Sequence, residues 1–179
     1  MELKVNVNNS PKDGFSKNIL LDISSLSEKL EDSFCFEEEK LFLKKEFHIT
    51  LIGNEDSLIL RNSLIELFGE NNLEDIYKDL EIKIEELLEE NSASLLDKFY
   101  VLKKEYSEEE TRISVVQIIK TNLIEKFREM LKVNYGIILS KDYPEPHITL
   151  YSQKENFGVG LYTEEDLEKY CVKRLVSLS

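Results

Sequence analysis

One tetrapeptide occurs twice and holds every histidine in the chain: His48-Ile49-Thr50-Leu51 and His147-Ile148-Thr149-Leu150. Each copy alternates polar and apolar residues, the period of a strand with one face buried. In such a strand His and Thr, at i and i+2, project to the same side, roughly 6.5 Å apart. The Ile and Leu then go to a core while an imidazole and a hydroxyl point the other way. The match extends outward, because a glutamate (Glu46, Glu145) stands two residues before each histidine. Two copies facing each other would assemble two proton-transfer groups and two hydroxyl donors, equipment for handling a phosphate without a metal.

The rest of the chain supplies elements to carry these strands. Ile19 to Ile23 is a short apolar run suited to a buried strand, and residues 1–18 read as a lead-in or a short edge strand. Phe34 to Leu43 reads as a strand or hairpin arm around Glu37-Glu38-Glu39, and Phe47 to Ile52 as a strand ended by Gly53-Asn54. Helical spacing of apolar residues predicts helices over 56–68 and 73–90, and a third from Thr121-Asn122 to Leu131. Between the second and third, 98–106 and 111–120 read as a hairpin. After the second motif strand, 148–152, come a glycine-containing loop (157–162), a capped turn at Thr163 to Asp166 and a closing strand from Cys171. Each half has strands, a helix and one His-x-Thr strand, with no linker between. We therefore expect one domain over 1–179, with lobes at roughly 19–95 and 96–179.

Charge limits the partners. The chain has 36 Asp and Glu against 23 Lys and Arg, a net charge of −13. Such a field repels a long duplex, whose binding depends on cations neutralising phosphates. A small phosphorylated ligand or the end of an oligonucleotide remains compatible. The 179 residues, 41% of them hydrophobic, suffice for a substantial core. Cys35 and Cys171 lack metal-site spacing and read as thiols in a reducing compartment. The N-terminus has no secretory pattern and no apolar run is long enough to span a bilayer, so a soluble, cytoplasmic protein with no membrane partner is expected.

With these residues in view, the paired His-Ile-Thr-Leu motifs resemble the H-φ-[S/T]-φ signatures of the two-histidine phosphoesterase superfamily. That group includes the RNA 2′,3′-cyclic phosphodiesterases, often called 2′-5′ RNA ligases. The resemblance rests on the two motifs, their separation and the order of elements. It implies an α+β, bilobal fold, with two antiparallel sheets and flanking helices related by a pseudo-twofold axis around a central cleft lined by the motif strands. It implies a hydrolase needing no cofactor or metal. His48 and His147 would be the acid–base pair, and Thr50 and Thr149 would bind the phosphoryl oxygens.

The residues lead to the same chemistry. Free imidazole titrates near 6.5, so one histidine can accept a proton while the other donates one. Threonine hydroxyls can stabilise charge growing on non-bridging oxygens. Hydrolysis of a nucleotide phosphodiester follows, with 2′,3′-cyclic ends or small cyclic or 2′-5′-linked nucleotides as substrates. A non-catalytic nucleotide-binding or interaction module is the alternative, and a metal-dependent oxygenase or hydrolase a third. Which histidine serves as base is left open.

Further candidates surround the motifs. Tyr151, at i+4 from His147, would either stack a nucleobase or pack as an ordinary aromatic. Arg112 would grip a phosphate in bidentate fashion or face the acidic turn at 108–110. Lys120, Lys141 and Lys154 are other nearby cations, and Tyr143 with Lys141 sits in a loop that could cover the substrate. Glu46 and Glu145 would orient an imidazole or lie on a solvated rim.

Overall fold

In the computed structural model, residues 2–178 are described apart from 12, 25, 27–29, 141, 142 and 155–157. Strands β1 (Leu3–Asn9), β2 (Lys17–Ile23), β3 (Ser33–Phe36), β4 (Glu39–Leu43) and β5 (His48–Ile52) come first. Helix α1 (Asn54–Phe68), a 3-10 turn at Glu70–Asn72 and helix α2 (Leu73–Glu90) follow. Then come β6 (Ser94–Ser107), β7 (Glu110–Lys120), α3 (Leu123–Tyr135), β8 (His147–Ser152), α4 (Asp166–Tyr170) and β9 (Cys171–Leu175). Among the described residues no helix is long and apolar enough to cross a membrane.

The fold is α+β with two antiparallel sheets. One has the order β1-β2-β5, the other β3-β4-β8-β7-β6-β9. The sheets do not divide the chain at residue 95. The β3–β4 hairpin, from the first half, pairs through Phe42 and Leu43 with Ser152 and Tyr151 of β8, so it extends the sheet built by the second half. Hairpin pairing is local, but the edge on which a hairpin docks is a long-range choice that strand patterning does not encode.

The helices follow their apolar stripes. Tyr77, Leu80 and Ile84 of α2 are buried, as are Leu123, Ile124, Phe127 and Leu131 of α3. Their spacing of three and four puts each set on one face of its helix. Gly136, at φ 69°, ends α3 in the left-handed region, where a residue with Cβ is strained. These stripes pack with Ile19, Leu21 and Ile23 of β2, Ile49 and Ile52 of β5, Val101 of β6, Val115 of β7 and Ile148 of β8 in one continuous core spanning both sheets. A smaller cluster covers the other face of the larger sheet, where Val159, Leu161 and Leu167 pack on Tyr100, Leu102, Val116 and Ile118.

The motif strands meet where the sheets join. The Lys44 amide donates to the Leu150 carbonyl at 2.8 Å, and the Ile23 amide donates to the Phe47 carbonyl at 2.8 Å. The link from Lys44 to Phe47 is thus tied to one sheet at its start and to the other at its end. Three peptide steps span at most about 11 Å. β5 is therefore held beside β8, in contact but with no shared ladder.

Candidate active site

Alternation decides which way the motifs point. Ile49 and Leu51, like Ile148 and Leu150, are 0–3% exposed. His48 is half-buried and Thr50 exposed, and His147 and Thr149 are both half-buried. Each His–Thr pair thus lies on the face away from the main core.

Both motif strands carry the same irregularity. Thr50 pairs with Leu20 and Ile52 with Ile19, so Leu51 is the extra residue; Thr149 pairs with Val116 and Tyr151 with Val115, so Leu150 is the extra one. A bulge at the fourth motif position turns the next residue inward. That is why Tyr151 differs from the stacking expectation. It is 1% exposed, its ring centroid lies 5.7 Å from that of Phe34, and its hydroxyl donates to the Glu31 carbonyl at 3.1 Å. Its partner position in the first motif, Ile52, is equally buried. Tyr151 is a core aromatic.

Tyr143 packs toward α3. Its ring lies 4.7 Å from the Arg128 guanidinium and its hydroxyl donates to Glu125, which places it against α3 on the main-core side. That loop is held by a buried network. The Asp56 carboxylate of α1 accepts hydrogen bonds from Arg128 of α3 (2.5 Å) and from the Ser140 amide (3.0 Å) and hydroxyl (2.7 Å). The turn after the first motif strand thereby anchors the approach to the second. Lys141 lies outside the described residues.

Arg112 shares a face with Ser114 and Val116, but Glu110 holds it at 2.5 Å and its guanidinium stacks on Tyr106 at 4.3 Å. Of the two readings open from the sequence, it takes the one facing the acidic turn. Lys120 is exposed at the end of β7, and Lys154 lines an open pocket of about 150 Å³ with Phe42, Lys44, Lys45 and Ser152. The pocket lies at the Ser152 end of β8, whereas His147 begins the strand, so it is not where the histidines stand.

The two imidazoles have different surroundings. His147 Nδ1 lies 2.8 Å from the Glu145 carbonyl oxygen. A carbonyl can only accept, so Nδ1 carries the hydrogen and Nε2 presents a lone pair when the ring is neutral. Glu145 acts through its backbone, while its exposed side chain takes no part in this bond. Burial pushes the His147 pKa below the usual 6.5; the carbonyl draws it up and the nearby His48 adds a further downward push. Burial also lowers His48, offset by Asp22 and Glu46 and reinforced by Lys44. The influence of His48 on His147 reflects the adjacency of their strands, and burial biases both rings to the neutral form.

Three contributors had weaker signals in the sequence. Asp22 is paired with His48 across β2 and β5, and its sign was a lone carboxylate inside the apolar run Ile19–Ile23. Lys44, four residues before His48 in the link between the sheets, is close enough to oppose protonation of its ring. Gly158 runs alongside Thr149, where a Cβ would stand in ordinary contact, 3.9 Å from the hydroxyl oxygen. The Val159 amide donates to Ser114 Oγ at 2.9 Å and pins this segment to β7. Among the described residues no group of three or more His, Cys, Asp or Glu side chains comes together to hold a metal ion. In comparisons with known proteins, no family model matches this chain, and no curated protein or solved structure matches it either.

Proposed function

We propose that this protein is a metal-independent phosphodiesterase of the two-histidine phosphoesterase superfamily. In this reading it hydrolyses a nucleotide phosphodiester: a 2′,3′-cyclic phosphate end, or a small cyclic or 2′-5′-linked nucleotide. The motif strands are taken to line a central cleft, related by a pseudo-twofold axis. The substrates are small nucleotides or oligonucleotide ends met in the cytoplasm. The observation that carries the reading is the adjacency of β5 and β8, with His48, Thr50, His147 and Thr149 all turned away from the main core.

One neutral imidazole takes a proton from the attacking water as its oxygen bonds to phosphorus. The other histidine, protonated, delivers a proton to the leaving ribose oxygen as that P–O bond breaks. Thr50 and Thr149 donate to the non-bridging oxygens, where charge grows. Burial disfavours the protonated form of both rings in the free protein, and the bound phosphodiester anion would add direct charge attraction that stabilises the imidazolium of the acid.

The test is a ³¹P NMR time course on 2′,3′-cyclic, 3′,5′-cyclic and 2′-5′-linked nucleotides in excess EDTA. Loss of one substrate signal, with a phosphomonoester appearing, is expected. Persistence of every signal alongside substrate-induced shifts in the protein spectrum would favour the non-catalytic binding module instead.

A further inference from the structure

We propose that Asp22 is a positioning residue that makes His48 the proton-donating member of the histidine pair, leaving His147 as the base. This rests on the two-histidine reading above and deepens it.

β2 is the central strand of its sheet, and Asp22 stands there between the buried Leu21 and Ile23. Aspartate is disfavoured in strands, by up to about 1 kcal/mol relative to the residues that suit them. Asp22 faces away from the core and is the direct cross-strand neighbour of His48. Directly opposed side chains have Cβ atoms about 4.5–5.5 Å apart, within range for a strong charge interaction. The Asn6 side-chain amide donates to Asp22 Oδ2 at 2.7 Å and holds the carboxylate in place. Among the described residues Oδ1 accepts no hydrogen bond.

The charged groups around His48 are Asp22 from β2, Lys4 opposite Asp22 on β1, Lys44 and Glu46 from the link before β5, and His147 from β8. Lys4 is exposed and lies one strand further away, so Asp22 is the carboxylate built into the sheet beside the ring. Among the described residues His147 has no comparable carboxylate across its ladder, where it pairs with Ile118. Its Nδ1–H is committed to the Glu145 carbonyl, which leaves Nε2 as a proton acceptor. The pair is thus polarised. Water gives its proton to His147 Nε2 as the new P–O bond forms, and the leaving oxygen takes the proton of His48 as the old bond breaks. Exchange with solvent then restores both rings.

The test uses the full chain and its two histidine resonances, titrated by ¹H–¹³C NMR and assigned with the His147→Gln variant. In the unsubstituted protein His48 is expected to titrate at higher pH than His147. Asp22→Asn should move the His48 titration to lower pH and leave that of His147 nearly in place, whereas Asp22→Glu should keep much of the original order. In turnover, Asp22→Asn should shift the alkaline limb of the kcat/KM profile to lower pH and reduce kcat at pH 8 about tenfold, a part of the full acid contribution. A purely structural role would lower kcat equally at every pH. An unmoved His48 titration in a folded Asp22→Asn variant would overturn the proposal. If the unsubstituted protein hydrolyses no phosphodiester, the functional reading fails, while the NMR titration still decides whether Asp22 controls His48.

Discussion

β5 and β8 carry the same four residues, bulge at the same position and bury the same apolar pair, yet their histidines sit in different electrostatic settings. His48 stands opposite a carboxylate anchored by Asn6, whereas His147 is tied through Nδ1 to a backbone carbonyl. The alternation that buries Ile and Leu is set within the motif and is therefore duplicated. Charge is set by what lies across the ladder and is not. A pair of identical motifs can in this way become a donor and an acceptor without any change within the motifs.

The largest expected effects remove a histidine. His48→Ala and His147→Ala should each reduce kcat/KM by about 10²–10⁴-fold, and the double variant should lose little more than the worse single one, as expected when a general acid and a general base act as a unit. Steady-state kinetics would expose an unequal pair: if one variant kept most of its activity, the two strands would not be equivalent partners.

Removing one hydroxyl probes the same equivalence more gently. Thr50→Val and Thr149→Val should each lower kcat by about 10²-fold, near the lower end for loss of one donor to a developing oxyanion. Thr149 is more enclosed, so the larger loss is expected there. A loss in KM alone would mean that these hydroxyls bind the ground state only.

Stability offers a third comparison. Ile49 and Ile148 are each 0% exposed, and Ile49→Ala and Ile148→Ala should each cost about 2–5 kcal/mol. Urea melts giving one value several-fold below the other would show that one strand contributes far less to the core. Tyr151→Phe should cost only about 1 kcal/mol, the loss of its bond to the Glu31 carbonyl, with base preference unchanged. A change in base preference would return Tyr151 to the binding site.

The smallest effect is on pH-dependent stability. Both histidines have folded pKa values pushed below 6.5, chiefly by burial. In the window below 6.5 the unfolded chain therefore binds more protons than the folded one. Their contribution is complete above about 6.5 and declines as pH falls through that window. Thermal melts across this range should show the slope, and His48→Gln and His147→Gln should each remove part of it.

Much of this arrangement was legible in the residues. Period-two alternation pointed the His–Thr pairs away from the core, because a one-residue slip would bury an imidazole and expose an isoleucine. The stripes of α2 and α3 were equally plain. Alternation failed one step beyond each motif, where the bulges at Leu51 and Leu150 reversed it and sent Tyr151 inward. A bulge depends on the register of the partner strand, which no single strand records. The setting of Tyr143 was hidden for a similar reason: its loop is held by Asp56 and Arg128, residues distant in sequence that meet only in the folded chain.

By itself, then, the sequence determined local periodicity: which segments are strands or helices, which residues of each motif are buried, and which groups are available for proton transfer. The tertiary structure decided the neighbours. It docked the β3–β4 hairpin on β8, drew β5 alongside through a short link, and set Asp22 rather than a motif glutamate across the ladder from His48. Periodicity comes from backbone geometry repeated over a few residues, whereas a charge neighbour depends on which distant strand wins the edge.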